Sequence, residues 1–309
     1  MVLMKNKKGM LFTLIAIALL SLFLISYTLL HVINTRGSVT RRIGSMNNFV
    51  SLVEQDLPRQ LYASGFRVIF LFNKRITDTG NYLTDFNSTF AECFFNGTIY
   101  GEEQALMLGV RFSEIEDALN EKARNVNVFV NLSNPELWVY QEDPWRIKVV
   151  LNTDLHIEDE GNLASWDRNA TFEAYIPIDS FEDPLYVVST NGLVTNKINQ
   201  TIYSDFVNGT DVSNLKDHVE NSYYIASTKA PSFIDRLQGI SSADENGIES
   251  LVYIPRLNSQ GITPKQKTVV DYIYFSSNNP TSYQISGMPS WFRIDNEHLN
   301  DYEVQGLLL

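Results

Sequence analysis

One cysteine, Cys93, stands in 309 residues, so no disulfide can form within the chain and a cysteine-rich zinc site is excluded. A domain exposed outside a cell would have to be held by its own core, as prokaryotic surface proteins often are. Histidine is almost as scarce. His31, His156, His218 and His298 are scattered, and no H-E-x-x-H occurs. G-x-S-x-G, Walker A and G-x-G-x-x-G patterns are missing too, so neither hydrolase nor nucleotide chemistry has a signature. No catalytic residue, cofactor or metal site is expected. Basic charge is also short, at 24 Lys and Arg against 36 Asp and Glu. Three of those basic residues precede the one long apolar run and every acid follows it. That leaves 21 against 36 beyond the run, a balance of about −15. Nucleic-acid binding needs a basic face to displace counterions, and this balance argues against it. A self-repelling soluble domain in a salty exterior suits it better.

What the chain does have is that run. Met10 to Ile33 contains 24 residues without a formal charge, about 36 Å as a helix, against a hydrocarbon core of roughly 30 Å. A secretory signal has an apolar core of only about 7–15 residues followed by a small-residue cleavage site. Here the core is longer, and Tyr27-Thr28-Leu29-Leu30-His31 offers no A-x-A site. The run therefore reads as a retained single-pass transmembrane helix. Lys5, Lys7 and Lys8 flank one end and Arg36, Arg41 and Arg42 the other, so the positive-inside rule is nearly balanced. A short tail before a large acidic domain places the N-terminus in the cytoplasm and the bulk outside the cell.

Lys7-Lys8-Gly9 followed by Met10-Leu11-Phe12-Thr13-Leu14-Ile15 resembles the class III leader of type IV pilin-like proteins. The resemblance implies that a prepilin-type peptidase cuts between Gly9 and Met10 on the cytoplasmic face. The processing residues are then Lys7, Lys8, Gly9 and Met10. Bacterial pilins usually carry a glutamate at the fifth mature position, where this chain has Leu14; archaeal pilins generally lack it, so the likeness is to the archaeal type. Lys-Lys-Gly before an apolar run also occurs in plain anchors, which leaves an unprocessed tether open. The resemblance is specific only over roughly the first quarter of the chain.

The helical pattern outlasts the membrane segment. Ile43, Met46, Val50, Val53, Leu57 and Leu61 recur at intervals of three and four, which predicts an amphipathic helix running to about Ile76. Pro58 is expected to kink or interrupt it, and Gly37, Gly44 and Gly65 to weaken it. A membrane helix prolonged in this way is the stem of a pilin, in which the first half packs on neighbouring subunits and the second lies on the head. A stalk joining anchor to domain, or a coiled-coil seam, fits the same pattern.

Beyond the stem, short helices are expected over Tyr82–Phe95 and over Ser113–Arg124, the latter opened by a Ser113-x-x-Glu116 capping box. From Val126 the period changes to two, and alternation to Ile178 predicts a four-stranded antiparallel meander. After Phe181-Glu182-Asp183-Pro184 come short strands at Tyr223–Ala226, Ser250–Ile254 and Val269–Phe275, with a helix near Pro231–Leu237. The expected fold class is thus α+β: a long N-terminal stem helix on an antiparallel meander head, followed by a second β-rich α+β region. The divisions are 1–9 (cytoplasmic leader), 10–33 (transmembrane helix), 34–78 (stem), 79–190 (head) and 191–309 (C-terminal region).

Few residues invite chemistry. His298, beside Glu297 and Leu299, reads as a C-terminal surface residue. Cys93 lies among aromatic residues and reads as a small core residue. The acidic stretches Glu158–Asn162 and Asp244–Glu249 offer oxygens to calcium but lack EF-hand spacing, and solvated hairpin tips explain both. Asn-x-Ser/Thr acceptors start at Asn87, Asn96, Asn131, Asn169, Asn199 and Asn208. They are candidate glycosylation sites or ordinary turn residues.

The expected function is a non-catalytic minor or tip-type subunit of a type IV pilus-like filament on the cell surface. Its partners would be the membrane, the peptidase and other pilin-like subunits met through the N-terminal helix, with no nucleic acid. A permanently anchored binding protein is the alternative. An anchored extracytoplasmic hydrolase has only carboxylates such as Asp179, Glu182 and Asp183 in its favour.

Overall fold

A single helix, α1 (Lys7–Thr79), organises the molecule. In the computed structural model, which describes residues 7–161 and 164–309, its 73 residues extend for about 110 Å. Every residue from Leu11 to Val32 is exposed. Met46, Val50, Val53, Leu57, Leu61, Val68, Phe72 and Ile76 are buried, at the three-and-four spacing that keeps one helical face turned inward. Ile43 falls on that periodicity yet is 41% exposed, because burial in the head begins only at Met46. Gly80, at φ 68°, ends the helix, its N–H bonding to the Ile76 carbonyl.

The interruption expected at Pro58 does not occur. The helix runs through it, although a proline in a helix interior costs about 3 kcal/mol. Val53, Leu57 and Leu61 are buried on either side of it, and their burial offsets that cost. Gly65 also has a role that helix propensity hides. A Cβ there would meet Ile176 Cδ1 at 2.7 Å and Val149 Cγ2 at 3.2 Å, so the missing side chain is what lets α1 lie close on the sheet.

That sheet has three strands rather than the expected four: β3 (Val128–Asp143), β4 (Arg146–Asp159) and β5 (Ser165–Pro177), paired antiparallel in that order. The two segments read as separate strands between residues 126 and 143 are one strand with a bulge between Ser133 and Glu136. Asn134, at φ 50°, takes up the extra length beside Pro135, and pairing with β4 resumes beyond it. Ile147, Val149, Leu151, Leu155 and Ile157 of β4 alternate inward with Phe172, Ala174 and Ile176 of β5. α1 covers both strands.

α2 (Phe86–Asn96) starts later than expected, because Asp85 caps it by accepting from the Ser88 N–H. A two-residue hairpin follows, β1 (Thr98–Ile99) with β2 (Glu102–Glu103). α3 (Phe112–Arg124) begins at Phe112 and is not opened by Ser113. Glu114 accepts from the Gly109 and Arg111 N–H groups instead, while Glu116 reaches across to the Leu132 N–H.

The C-terminal region is built from short elements: α4 (Pro184–Ser189), α5 (Ser213–Glu220), β6 (Tyr224–Ala226), α6 (Phe233–Gln238), β7 (Ile248–Ser250), α7 (Ile254–Ser259), α8 (Asp271–Phe275), β8 (Ser282–Gln284) and β9 (Arg293–Asp295). The strand expected over Ser250–Ile254 lies earlier, and Ile254 opens α7. The strand expected over Val269–Phe275 is helix α8, with only Val270 bridging to Leu251. β-branched and aromatic residues favour strand there, but Asp271 is buried against Arg236, and that pairing is made from a helical turn. Buried apolar residues form two clusters. One joins α1, the sheet, α2 and α3 to Tyr224, Phe233, Leu237 and Ile248. The other lies wholly within residues 186–304. The chain is therefore α+β, with an N-terminal apolar helix and antiparallel sheets.

Candidate functional site: a bare helix and two buried ionic centres

The first third of α1 exposes a long run of apolar side chains. Leu11–Val32 is 22 residues long and apolar enough to cross a membrane, with Phe12 78% and Phe23 71% exposed. Exposed apolar surfaces of this size mark contact with a membrane or a partner. This one is compatible with a single-pass anchor. Lys7, Lys8, Gly9 and Met10 belong to the opening of the same helix; residues 1–6 lie outside the described residues. Small polar groups within the span are satisfied along the helix, Ser21 donating to the Ile17 carbonyl at 2.8 Å and Thr28 to the Ile25 carbonyl at 2.9 Å.

The lower half of α1 is fastened to the head by polar contacts as well as apolar ones. Asn73 donates to the Glu182 carbonyl at 2.5 Å and accepts from the Glu182 N–H at 3.3 Å, in effect a backbone-like bridge between stem and loop. Arg42 pairs with Asp159 at 3.3 Å and Lys122 with Asp56 at 2.6 Å. Asp159, from the first acidic stretch, is buried in this contact and also accepts from the Gly161 N–H. It does not sit on a solvated tip. Asn162 lies outside the described residues.

Of the Asn-x-Ser/Thr acceptors, Asn87, Asn96, Asn169, Asn199 and Asn208 are exposed and Asn131 is half-buried. They are spread over several elements. Asn87 and Asn96 sit on α2, Asn131 and Asn169 on the sheet, and Asn199 and Asn208 on loops. Cys93 is fully buried, and burial pushes its thiol up to about 12, which suits an inert core residue.

Two ionic centres in the C-terminal region have no local signature in the sequence. In the first, Arg236 donates from Nη1 to Asp183 at 2.6 Å and Asp271 at 2.9 Å, and from Nη2 to Asp271 and the Ile248 carbonyl. All three side chains are fully buried. Tyr224 donates to Asp183 at 2.8 Å, and the Ser250 hydroxyl to Asp271 at 2.8 Å. Burial raises the Asp183 pKa and Arg236 opposes the rise; the arginine keeps its charge, since two carboxylates outweigh its own desolvation. Charges this well paired and this dry are structural. Asp179 and Glu182 stay outside this centre, so the three carboxylates named in the sequence form no acid/base constellation.

The second centre corrects the reading of His298 as a surface residue: its side chain is fully buried. Nδ1 lies 2.7 Å from Asp295 Oδ1, and Nε2 lies 3.0 Å from the Tyr272 hydroxyl and 3.4 Å from Glu249 Oε2. Burial would lower the imidazole pKa, but Asp295 and Glu249 overcome it and hold the ring near about 10. Glu249, the last residue of the second acidic stretch, is thus a core residue. His298 is buried because Leu299, Tyr302 and Val304 dock beneath it into the second apolar cluster. Its key partner is 49 positions away in the sequence, beyond the reach of any spacing rule.

No protein-family model, curated protein or solved structure matches the chain.

Proposed function

We propose that the chain is a membrane-anchored extracellular subunit of a type IV pilus-like filament, structural or adhesive, of the minor or tip type. One observation carries the reading: a single uninterrupted helix is bare and apolar over Leu11–Val32 and buried in an antiparallel-sheet head from Met46 to Ile76. A tether needs only the first property, and a soluble core helix only the second. A subunit that waits in lipid and then packs its stem on neighbours needs both in one rigid rod. The Lys7-Lys8-Gly9 tail ahead of Met10 supports processing by a prepilin-type peptidase. The large head, acidic beyond the anchor, supports a minor, surface-facing role. The exposed Asn87, Asn96, Asn169, Asn199 and Asn208 support their use as glycan acceptors.

N-terminal sequencing of the mature chain from membranes tests this directly. The expected first residue is Met10, and Gly9→Leu should leave the lysine tail attached and block assembly while the protein stays in the membrane. A mature chain that still carries Lys7 and Lys8 would leave a plain anchor, whether of a binding protein or an enzyme.

A further inference from the structure

The His298 centre has the parts of a metal site, and they owe nothing to how the N-terminal helix is used. Glu249 lies at the middle of β7, with its side chain fully buried. Strand alternation turns it to the face opposite Ser250, away from the Arg236 centre. Neither of its carboxylate oxygens makes a well-aligned hydrogen bond among the described residues, and the buried Tyr302 hydroxyl that faces it makes none either. A buried carboxylate left in that state costs several kcal/mol unless something of opposite charge completes it. His298 supplies part of that charge through an ion pair at 3.4 Å.

The geometry around this orphaned carboxylate is that of a ligand set. One oxygen or nitrogen atom each from Glu249, His298 and Asp301 lies within 4.8 Å of the others. Two ligands each about 2.1 Å from a tetrahedral metal stand roughly 3.4 Å apart, which is the observed spacing of His298 Nε2 and Glu249 Oε2. The other ring nitrogen is already committed to Asp295 at 2.7 Å. That carboxylate–imidazole bond is the usual outer support of a metal-ligating histidine and fixes the ring's orientation. Nε2, which faces the Tyr272 hydroxyl at 3.0 Å and Glu249 at 3.4 Å, would give up its proton to bind the ion. Asp301 is held in place by Lys229 through Oδ2 at 2.6 Å, so its other oxygen remains for a metal. Asp301 is also the partly exposed member, at 27%. Its partner Lys229 also lines a polar cleft of about 600 Å³, together with Tyr272, Asp295 and Glu297.

We propose that Glu249, His298 and Asp301 form a binding site for one divalent transition-metal ion of the zinc class. One imidazole and two carboxylates favour such a borderline cation over calcium, which takes six to eight oxygens. The bound ion would pin the turn after β9 to β7 and replace the long His298–Glu249 ion pair with two metal bonds. In a chain with one cysteine it would serve as the cross-link that no disulfide can supply.

The test uses the full-length chain in detergent, stripped with a chelator and titrated with Zn²⁺. The expected result is uptake of one equivalent with a rise in melting temperature. Asp301→Asn, at the rim, should leave the melting of the stripped protein near that of wild type but weaken zinc binding at least tenfold. Glu249→Gln and His298→Asn should abolish the stoichiometric uptake. If either of these core variants fails to fold, Asp301→Asn alone decides. Failure of the wild type to take up one equivalent would overturn the proposal. So would zinc uptake that Asp301→Asn leaves unchanged.

Discussion

Arg236 Nη1 lies 2.6 Å from Asp183 Oδ2, with both side chains fully withdrawn from solvent. The pair joins α6 to the first turn of α4, and Asp271 of α8 closes the same group at 2.9 Å. Tyr224 and Ile248, of the cluster under the stem, touch this group, and Ser250 links it to Tyr186 of the C-terminal cluster. The arginine therefore ties together the two packed parts of the protein. Arg236→Met should destabilise the chain by about 3–5 kcal/mol, because it leaves two carboxylates buried without a counter-charge. Chemical denaturation measures the loss. Adding Asp183→Asn and Asp271→Asn should recover part of it, an outcome that loss of packing alone would not produce.

His218 should make the C-terminal region acid-sensitive. Its ring is buried against Phe206 and Tyr302, with Nδ1 3.1 Å from the Thr201 hydroxyl and Nε2 without a hydrogen-bond partner among the described residues. Burial holds the imidazole at about 3, below its ordinary 6.5. In the unfolded chain the ring takes a proton below about pH 6.5, while the folded chain resists it until about pH 3. Stability is therefore intact above pH 6.5 and lost as pH falls towards 3, by a full amount on the order of 5 kcal/mol. Melting temperature followed from pH 7 to pH 4 should fall, and His218→Leu should flatten part of that slope. An unchanged slope would place the acid sensitivity elsewhere.

Gly65 separates close approach from helix propensity. Gly65→Ala gains about 1 kcal/mol of helix propensity. Its Cβ would meet the buried Ile176 Cδ1 at 2.7 Å and Val149 Cγ2 at 3.2 Å, and the repacking this forces should offset the gain, leaving a small net change. Gly65→Leu should cost about 1–3 kcal/mol by forcing the stem off the sheet. Thermal melts of the two variants side by side check the contrast.

Cys93 should be unreactive in the folded protein. Its thiol is pushed up to about 12 by burial, so thiolate is scarce at pH 8 and solvent has no access to it. A thiol reagent should label the native chain only at the rate of unfolding, and at once in denaturant. Fast native labelling would mean that α2 opens.

The apolar span gives the last prediction. Ala18→Asp places a charge near its centre at an insertion cost of about 2.5–3.5 kcal/mol, which a span of this length tolerates. The variant should reach the membrane but be lost from any sheared or pelleted filament fraction. Equal behaviour of the variant and wild type in every surface fraction would reduce the helix to a tether.

Much of the stem was legible from Met10 onwards, because composition and a 3.6-residue period are properties of neighbouring residues. An uncharged run longer than 20 residues, and then Met46, Val50, Val53, Leu57 and Leu61 on one face, define a long helix whatever surrounds them. The α+β class and the alternating strands followed from the same local signals. Pro58 and Gly65 read locally as defects, but burial on either side carries the helix through the first, and the close-lying sheet gives the second its purpose. The bulge that merges two expected strands, and the helical turn at Asp271 where propensity favours a strand, depend on partners distant in sequence. The same holds most strongly for the buried polar groups. Arg236 with Asp183 and Asp271, and His298 with Glu249 and Asp301, are scattered along the C-terminal half and carry no spacing signature. Hydrophobic periodicity reports which face of a segment turns inward, but a buried charge is settled by whichever distant partner the packing brings within about 3 Å.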